Sequence, residues 1–192
     1  MTYDLQHSIV IFASGGGSNA AAIIEHFRGS AKAAVSLIVC NRPDAGVLEI
    51  AKAEGIPFLL VDKKTFGEVM LIEQLRDFNP SLIVLAGFLW KIPSRLLEAF
   101  PGIVINIHPA LLPKYGGKGM HGQQVHQAVI DQKEEESGIT IHYVNENYDE
   151  GNTIVQARCK VLKNDTAPDL AKRVLKLEHF YLPRTIEFLL GS

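Results

Sequence analysis

The first half of the chain alternates short apolar runs with longer segments in which apolar and polar residues are mixed. The runs are rich in Val, Ile and Leu, which is typical of strands buried on both faces of a parallel sheet. Gly and Pro residues bracket the mixed segments, which indicates helices between the strands. The predicted strands are Ser8–Ala13, Ala34–Cys40, Pro57–Val61, Leu82–Ala86 and Ile103–Ile107, and the predicted helices are Ser18–Arg28, Ala45–Glu54, Thr65–Phe78 and Ser94–Ala99.

The second half departs from this alternation. Gly138–Val144 and Thr153–Val161 predict two more strands with no helix between them, and Ala167–Leu190 predicts a closing helix with a break near Pro183. Alternating strands and helices favour right-handed crossovers and helices on both faces of the sheet. The sequence therefore predicts an α/β fold, with a doubly wound, mostly parallel, Rossmann-like sheet and a modified C-terminal third. No linker divides the 192 residues, so one domain is expected.

Composition and charge exclude several classes of protein. The chain is 47% apolar and 21% charged, which is close to the globular average, and its net charge of -2 offers no basic field for nucleic acid. The longest apolar stretch, near Leu82–Trp90, is shorter than the roughly 20 residues of a membrane helix. Met1–His7 lacks the features of a secretion signal. Cys40 and Cys159 are too few and too far apart for a disulfide framework. We expect a cytoplasmic protein that binds neither nucleic acid nor a membrane.

A glycine-rich segment, Ser14–Asn19, follows the first predicted strand. Ligands of open α/β sheets bind outside the carboxyl ends of the strands. A glycine backbone can approach a ligand closely, and the N-terminus of the next helix favours an anion. With Ser18 as the expected helix cap, the segment predicts a phosphate site. A tight turn without a ligand is the alternative.

The same segment matches a dinucleotide fingerprint through Gly15, Gly17 and Ala20. The expected acidic residue after the second strand is replaced by Asn41, while Arg42 leaves a phosphorylated dinucleotide possible. An NADPH-dependent reductase therefore remains an alternative. A binding protein for phosphorylated metabolites, without catalytic activity, is a second one.

Asn106 and His108 stand two residues apart at the end of a predicted strand. Their side chains should face the same side, about 6.6 Å apart along the strand. An imidazole transfers protons near neutral pH, and an amide N–H stabilises an oxygen that gains negative charge. A polar strand end with a structural histidine is the alternative. His121 and His126 would diverge on a helix and the remaining histidines lack ligand spacing, so no metal is expected.

Two longer motifs resemble the folate-dependent formyltransferase family. The segment Asn106–Tyr115 is similar to the NIHPSLLPKY motif of that family. Gly138–Val144, followed by Asp149-Glu150-Gly151, resembles its second signature, G-x-[ST]-x-H-x-V ending in D-x-G. Ser14–Asn19 and Leu85–Phe88 fit in order and spacing, so the resemblance covers about residues 8–188. The length resembles the glycinamide ribonucleotide branch, since it leaves no room for the extra domains of methionyl-tRNA formyltransferases or formyltetrahydrofolate deformylases.

This resemblance implies a transferase of purine synthesis and one-carbon metabolism. It would carry the formyl group of its co-substrate 10-formyltetrahydrofolate to the amine of glycinamide ribonucleotide. Asn106 and a protonated His108 would stabilise the tetrahedral intermediate, with Asp149 favouring the charged imidazole. Within the single domain, residues 1–192, the N-terminal half would bind the nucleotide and the C-terminal half the folate. Another folate formyltransferase or a deformylase is the alternative, and a monomer or a homodimer is expected.

The resemblance also implies three groups of binding residues. The phosphate would bind at Gly15, Gly16, Gly17, Ser18 and Asn19. Other parts of the nucleotide would contact Gly87, Pro109 and Glu178. The folate would contact Leu89, Trp90, Lys91, Ile92, Asn106, Thr140, Asn145, Glu146, Asn147 and Tyr148. The chain departs from the family pattern at 89–92, in the loop around 62–68 and in the loop 116–121.

Overall fold

The computed structural model describes residues 6–191, so most of the segment examined for a secretion signal lies outside the described residues. The seven strands are β1 (His7–Ala13), β2 (Ala33–Cys40), β3 (Phe58–Leu60), β4 (Leu82–Leu85), β5 (Val104–His108), β6 (Glu136–Tyr143) and β7 (Thr153–Lys160). The six helices are α1 (Ser18–His26), α2 (Gly46–Ala53), α3 (Val69–Asp77), α4 (Ser94–Ala99), α5 (Gln123–Asp131) and α6 (Ala167–Leu189). Within residues 6–191 no helix combines the length and the apolar character that crossing a membrane requires.

One sheet contains all of these strands, in the order β3-β2-β1-β4-β5-β6-β7. The pairs among β1 to β5 are parallel, and β6 and β7 are added antiparallel at the edge beyond β5. The predicted α/β fold with a doubly wound, mostly parallel sheet is confirmed. The modified C-terminal third is this antiparallel extension.

The central strands are buried on both faces, which explains their unbroken apolar runs. Ile9 and Ile11 of β1 point into a core shared with α1, α2, α5 and α6. Val10 and Phe12, the alternate residues, point into a second core shared with α3 and α4. Because successive side chains of a strand face opposite ways, a strand between two helical layers needs apolar residues at every position.

Two features of the helices differ from the sequence prediction. Helix α5 was not predicted, because only Val125 and Val129 form its apolar stripe and the third buried position is His126. The predicted break in the last helix is wrong, since α6 continues through Pro183. Proline removes only one backbone hydrogen bond from a helix. Burial of Leu182, Pro183 and Ile186 against the core holds α6 together at this point.

Gly138 marks the closest approach of β6 and β7. A Cβ atom at this position would lie 1.9 Å from the carbonyl oxygen of Ala157. We expect Gly138→Ala to lower the free energy of unfolding by about 3 kcal/mol, because the paired strands must separate to admit a methyl group. Urea denaturation measures this loss. Ile139→Val is the control on the same strand and should cost only about 1 kcal/mol. Equal losses for the two variants would contradict the close approach.

Candidate functional site

A cavity of about 600 Å³ lies beside the carboxyl ends of β4 and β5. Most of its wall comes from four segments: 87–92 after β4, 106–109 at the end of β5, 117–122 before α5, and 142–149 from the end of β6 into the loop that follows. Further lining residues are Asn19, Leu85, His126 and Glu178. The cavity occupies the place where open α/β sheets bind their ligands.

The three residues predicted to be catalytic meet in this cavity. Asn106 and His108 project from β5, and Asp149 comes from the loop between β6 and β7. The Nδ1 atom of His108 lies 3.6 Å from Oδ2 of Asp149, and Nδ2 of Asn106 lies 3.3 Å from Oδ1 of the same carboxylate. Residues more than forty positions apart in the chain therefore form one hydrogen-bonded group.

The backbone around Asp149 aims its carboxylate at the two β5 side chains. Asp149 adopts a left-handed conformation with φ 56°, which Asp tolerates better than most residues. Its Oδ2 accepts a hydrogen bond of 2.9 Å from the backbone N–H of Gly117. Gly117 itself has φ 95°, a conformation that favours glycine, so this donor depends on the residue type.

Burial favours the neutral form of the His108 imidazole. Its Nε2 lies 2.7 Å from the carbonyl oxygen of Tyr115, which can only accept, so Nε2 carries the proton and Nδ1 faces Asp149. The side chain is buried, and burial lowers its pKa more than the Asp149 charge and the Tyr115 carbonyl raise it. The resemblance implied a protonated imidazole, whereas the lowered pKa gives a free base near pH 7.

Asp149 is ionised under the same conditions. Burial raises its pKa, but the neighbouring His142 ring and the N–H of Gly117 lower it, as would a charge on His108. A buried carboxylate stays charged only where such partners replace the lost water. The site therefore contains a fixed negative charge beside a neutral imidazole.

His142 was missed as a functional residue by the sequence analysis. It is 2% exposed and lines the cavity, and its Nε2 lies 3.1 Å from Nδ2 of Asn106. The antiparallel pairing of β5 with β6 places His142 directly opposite Asn106. The G-x-[ST]-x-H-x-V signature contains this histidine and could have pointed to it, whereas its contact with Asn106, thirty-six residues away, follows only from the register.

Aromatic and apolar side chains form the opposite part of the cavity. Phe88 packs edge-on against Phe12 at 5.3 Å between ring centroids, and Phe66 contacts both Phe88 and Trp90 at 5.4 Å. The predicted folate contacts that line the cavity are Asn106, Leu89, Trp90, Lys91, Ile92, Asn145, Asn147 and Tyr148. These residues give a flat ligand an apolar wall with polar groups at one end.

Two predicted folate contacts, Thr140 and Glu146, do not line the cavity. Thr140 is fully buried, and its hydroxyl donates to the carbonyl of Ala110 and accepts from the N–H of Leu112. Gln156 donates a third hydrogen bond to the same oxygen. The Thr140 hydroxyl is therefore used to fix the segment that leaves β5. It is not turned toward a ligand.

The glycine segment meets the cavity at one end. Asn19 lines the cavity, whereas Gly15, Gly16, Gly17 and Ser18 lie outside its lining. Gly17, with φ 81°, is the cap residue of α1 and no side chain caps the helix, so the predicted cap at Ser18 is wrong.

Ser14 joins this segment to the cavity wall. Its N–H donates to the carbonyl of Gly87 at 3.1 Å, and its hydroxyl accepts from the N–H of Leu89 at 3.0 Å. The glycine segment and the wall segment after β4 are thereby held in a fixed relation.

Asn19 and Glu178 connect the glycine segment to the last helix. Nδ2 of Asn19 donates to Oε2 of Glu178 at 2.5 Å, and both residues line the cavity together with Gly87 and Pro109. Burial raises the pKa of Glu178, and the hydrogen bond from Asn19 offsets only part of that rise. No group of three His, Cys, Asp or Glu side chains within residues 6–191 is arranged to hold a metal ion.

Comparison with known proteins identifies the family. Residues 7–186 match the formyl transferase family along nearly the whole chain. The chain belongs to this family. As a formyl transferase family member it carries Asn106, His108 and Asp149 inside the matched region.

Named relatives of this family member include plant and bacterial proteins. It is 44% identical to a chloroplastic phosphoribosylglycinamide formyltransferase of Arabidopsis thaliana over 178 residues, covering 89% of this chain and 61% of the relative. It is 39% identical to the phosphoribosylglycinamide formyltransferase of Bacillus subtilis (strain 168), covering 94% of this chain and 93% of that protein. The chain thus spans about three fifths of the plant relative's length.

A solved structure shows the same fold. The phosphoribosylglycinamide formyltransferase of Anaplasma phagocytophilum superposes with a TM-score of 0.88 and 31% identity, covering 97% of this chain and 88% of that one. The agreement over almost all of the chain includes the antiparallel extension that carries His142.

Buried histidines predict a fold that is sensitive to acid. Burial lowers the pKa of His108, His126 and His179 below the usual 6.5. Near pH 6 the folded chain then binds fewer protons than the unfolded chain, so lowering the pH through 6.5 favours unfolding. His126→Gln should reduce the loss of stability between pH 7.5 and 5.5 by at most about 1.4 kcal/mol, the limit for one group over one pH unit.

Urea denaturation of both proteins at the two pH values measures the difference. His7→Gln is the control, because this histidine contacts Ser81 far from the cavity. An unchanged pH dependence in His126→Gln would contradict burial of a neutral imidazole at this position.

Proposed function

We propose that this protein transfers the formyl group of 10-formyltetrahydrofolate to the amine of glycinamide ribonucleotide, in purine synthesis. The observation that carries the proposal is the meeting of Asn106, His108 and Asp149 in one cavity that has an apolar wall and touches the glycine segment. The names of the plant and bacterial relatives support the same reaction.

The apolar part of the cavity suits the folate. A pteridine is a flat ring with hydrogen-bonding edges, and Leu89, Trp90, Ile92 and Val144 offer it an apolar surface. Lys91 is an exposed cation at the same end of the cavity, without an ion-pair partner in the described part of the chain. It is available for the carboxylates of the folate tail.

The other end of the cavity suits the ribonucleotide. The first turn of α1 leaves backbone N–H groups free after Gly17, which favours a phosphate there. Gly15 and Gly16 are exposed, and no atom lies within 4 Å of where their side chains would be. Asn19 and Glu178 can then contact the sugar as the amine approaches the catalytic group.

The catalytic group supports a proton transfer through His108. The amine nitrogen attacks the formyl carbon, a C–N bond forms, and the carbonyl electron pair moves onto oxygen. The neutral Nδ1 of His108 accepts the proton that the amine must lose, while Asp149 at 3.6 Å stabilises the resulting imidazolium. His108 then returns the proton to the folate nitrogen as the bond between that nitrogen and the formyl carbon breaks. The products are the formylated ribonucleotide and tetrahydrofolate.

We further propose that one domain, residues 1–192, performs the reaction, with the ribonucleotide in its N-terminal half and the folate in its C-terminal half. This mechanism needs no metal, since the charges that develop are met by protein groups. We place the enzyme in the cytoplasm as a monomer or homodimer.

The decisive experiment measures formyl transfer by the purified full chain. The enzyme is mixed with 10-formyltetrahydrofolate and glycinamide ribonucleotide, and release of tetrahydrofolate is followed by absorbance. Parallel reactions replace the ribonucleotide with buffer, with simple amines, or with a formyl-accepting transfer RNA, and a binding titration uses NADPH. Transfer only to the ribonucleotide supports the proposal. Equal folate release without an acceptor indicates a deformylase, and tight NADPH binding without transfer indicates a reductase.

Asp149 should be needed for turnover and dispensable for ligand binding. Asp149→Asn removes the charge that stabilises the His108 imidazolium, and kcat should fall by about 100-fold or more. The KM for the ribonucleotide should stay within a few-fold. Asp131→Asn is the matched control, because Asp131 is exposed on α5 and accepts a hydrogen bond from Gln127. Near-normal turnover of Asp149→Asn would contradict the mechanism.

Gly16 should be needed for the phosphate but not for folding. A methyl group at Gly16 meets no protein atom within 4 Å, so thermal stability should be unchanged. The methyl group would occupy the space of a phosphate held by the backbone, so Gly16→Ala should raise the KM for the ribonucleotide about 10-fold or more at unchanged folate KM. If the two KM values rise together, or neither rises, the phosphate does not bind here.

A further inference from the structure

A second cavity, of about 320 Å³, lies beside the segment that leaves β5. Its apolar lining consists of Leu111, Leu112, Pro113 and Val129. Among residues 6–191 it shares no lining residue with the cavity that holds Asn106. Its volume lies at the lower end of the roughly 300–1,000 Å³ that small-molecule sites span. The second cavity is therefore a separate place for a small ligand.

Two ion pairs border the second cavity. Lys114 pairs with Glu134 at 2.7 Å. Arg158 pairs with Glu136 at 2.9 Å. The side chains of Lys114 and Arg158 are 66% and 62% exposed, so these pairs contribute little to stability and can open for another partner. Because each pair has one charge of each sign, the border favours a ligand that also carries both signs.

Ser137 adds a hydroxyl group that has no partner. This residue is 2% exposed and lines the second cavity, and no hydrogen bond within residues 6–191 engages its Oγ. Buried hydroxyl groups almost always have a partner, because leaving one unpaired is destabilising. A polar group of a ligand in the second cavity would supply the missing hydrogen bond.

Tyr115 connects the second cavity to His108. It lines the second cavity, and its hydroxyl donates to Glu134 at 2.8 Å. Its carbonyl accepts from Nε2 of His108 at 2.7 Å. Tyr115 has φ 58°, a left-handed conformation that a bulky residue keeps only where its surroundings hold it. A ligand that takes Glu134 away from Tyr115 therefore changes the support of His108.

We propose that the second cavity binds a small zwitterion with an apolar body, of the chemistry of an apolar α-amino acid, and that binding weakens the contact between Tyr115 and His108. The carboxylate accepts from Arg158 and from the Ser137 hydroxyl, and the ammonium pairs with Glu134. The apolar body lies against the apolar lining. The inference goes beyond the proposed function, and only its effect on turnover rests on that function.

NMR titration of the nitrogen-15-labelled full chain tests binding, with L-leucine as the probe. The Ser137 and Tyr115 amide resonances should shift saturably, with a Kd of about 1 mM or below for a ligand of this size. The Nε2–H resonance of His108 should shift with them. No saturable shift at Ser137 up to about 20 mM leucine, where a millimolar site is nearly full, would overturn the inference.

Two analogues test the need for both charges. 4-Methylpentanoate lacks the ammonium group, and 3-methylbutylamine lacks the carboxylate. Each should bind about tenfold or more weakly than leucine, because each leaves one charged hydrogen bond unmade. Binding of either analogue as tight as that of leucine would show that the cavity does not select a zwitterion.

Two variants test the residues that hold the ligand. Arg158→Gln should weaken leucine binding about tenfold or more, and Ser137→Ala about fivefold. Arg76→Gln is the matched control, because Arg76 forms a similar exposed pair with Glu73 at 2.8 Å and lines neither cavity. Since Arg158 is exposed, its variant should fold as the wild-type chain does. Equal affinity of Arg158→Gln and the wild type would overturn the assignment.

Turnover measures the effect on His108. Saturating leucine should lower kcat of the wild-type chain about fivefold, and the same concentration should have little effect on Arg158→Gln. Leucine binding without a change in kcat or in the His108 resonance would overturn the link through Tyr115. If the wild-type chain transfers no formyl group, the proposed function fails, and the titration still decides whether the second cavity binds a zwitterion.

Discussion

The site depends on keeping one carboxylate, Asp149, charged although it is largely buried. An ionised carboxylate away from water must be met by hydrogen-bond donors or opposite charge. Asp149 accepts hydrogen bonds from the backbone N–H of Gly117 and from the amide of Asn106. Asp149 and its two donors come from three separate parts of the chain. The hydrogen bonds that keep Asp149 ionised therefore also join β5, the loop before α5 and the loop after β6. Charge and tertiary structure support each other at this point.

The sheet topology makes that convergence possible. In a purely parallel sheet, the strand after β5 would run in the same direction as β5. Here β6 returns antiparallel to β5, so that His142 stands opposite Asn106 and the loop after β6 comes back to the cavity. The apolar residues on both faces of β1 and β4 supply the rigid support. Because a rigid sheet edge carries Asn106 and His108, their separation is fixed before a ligand arrives.

The two ends of the cavity differ in polarity. Trp90 and its aromatic neighbours form the apolar end, and Asn19 with Glu178 forms the polar end beside the glycine segment. The ionised carboxylate and the neutral His108 lie between them. Burial lowers the pKa of His108 and so prepares a base near pH 7. A charged imidazole would have to lose its proton before it could accept one from an amine, so the neutral form suits an amine nucleophile better.

The sequence alone determined most of the strand and helix order, because apolar runs and Gly or Pro breaks are local signals. It also singled out Asn106 and His108, because residues two apart in a strand share a face. Its motifs also pointed to Asp149. Helix α5 escaped because its buried face includes a histidine, and Thr140 was misplaced because a motif does not tell which hydrogen bonds a hydroxyl makes. Tertiary structure alone decided that His142 faces Asn106 and that burial lowers the pKa of His108. Register across a sheet, burial and the direction of a hydrogen bond all depend on residues distant in the chain, and no local pattern encodes them.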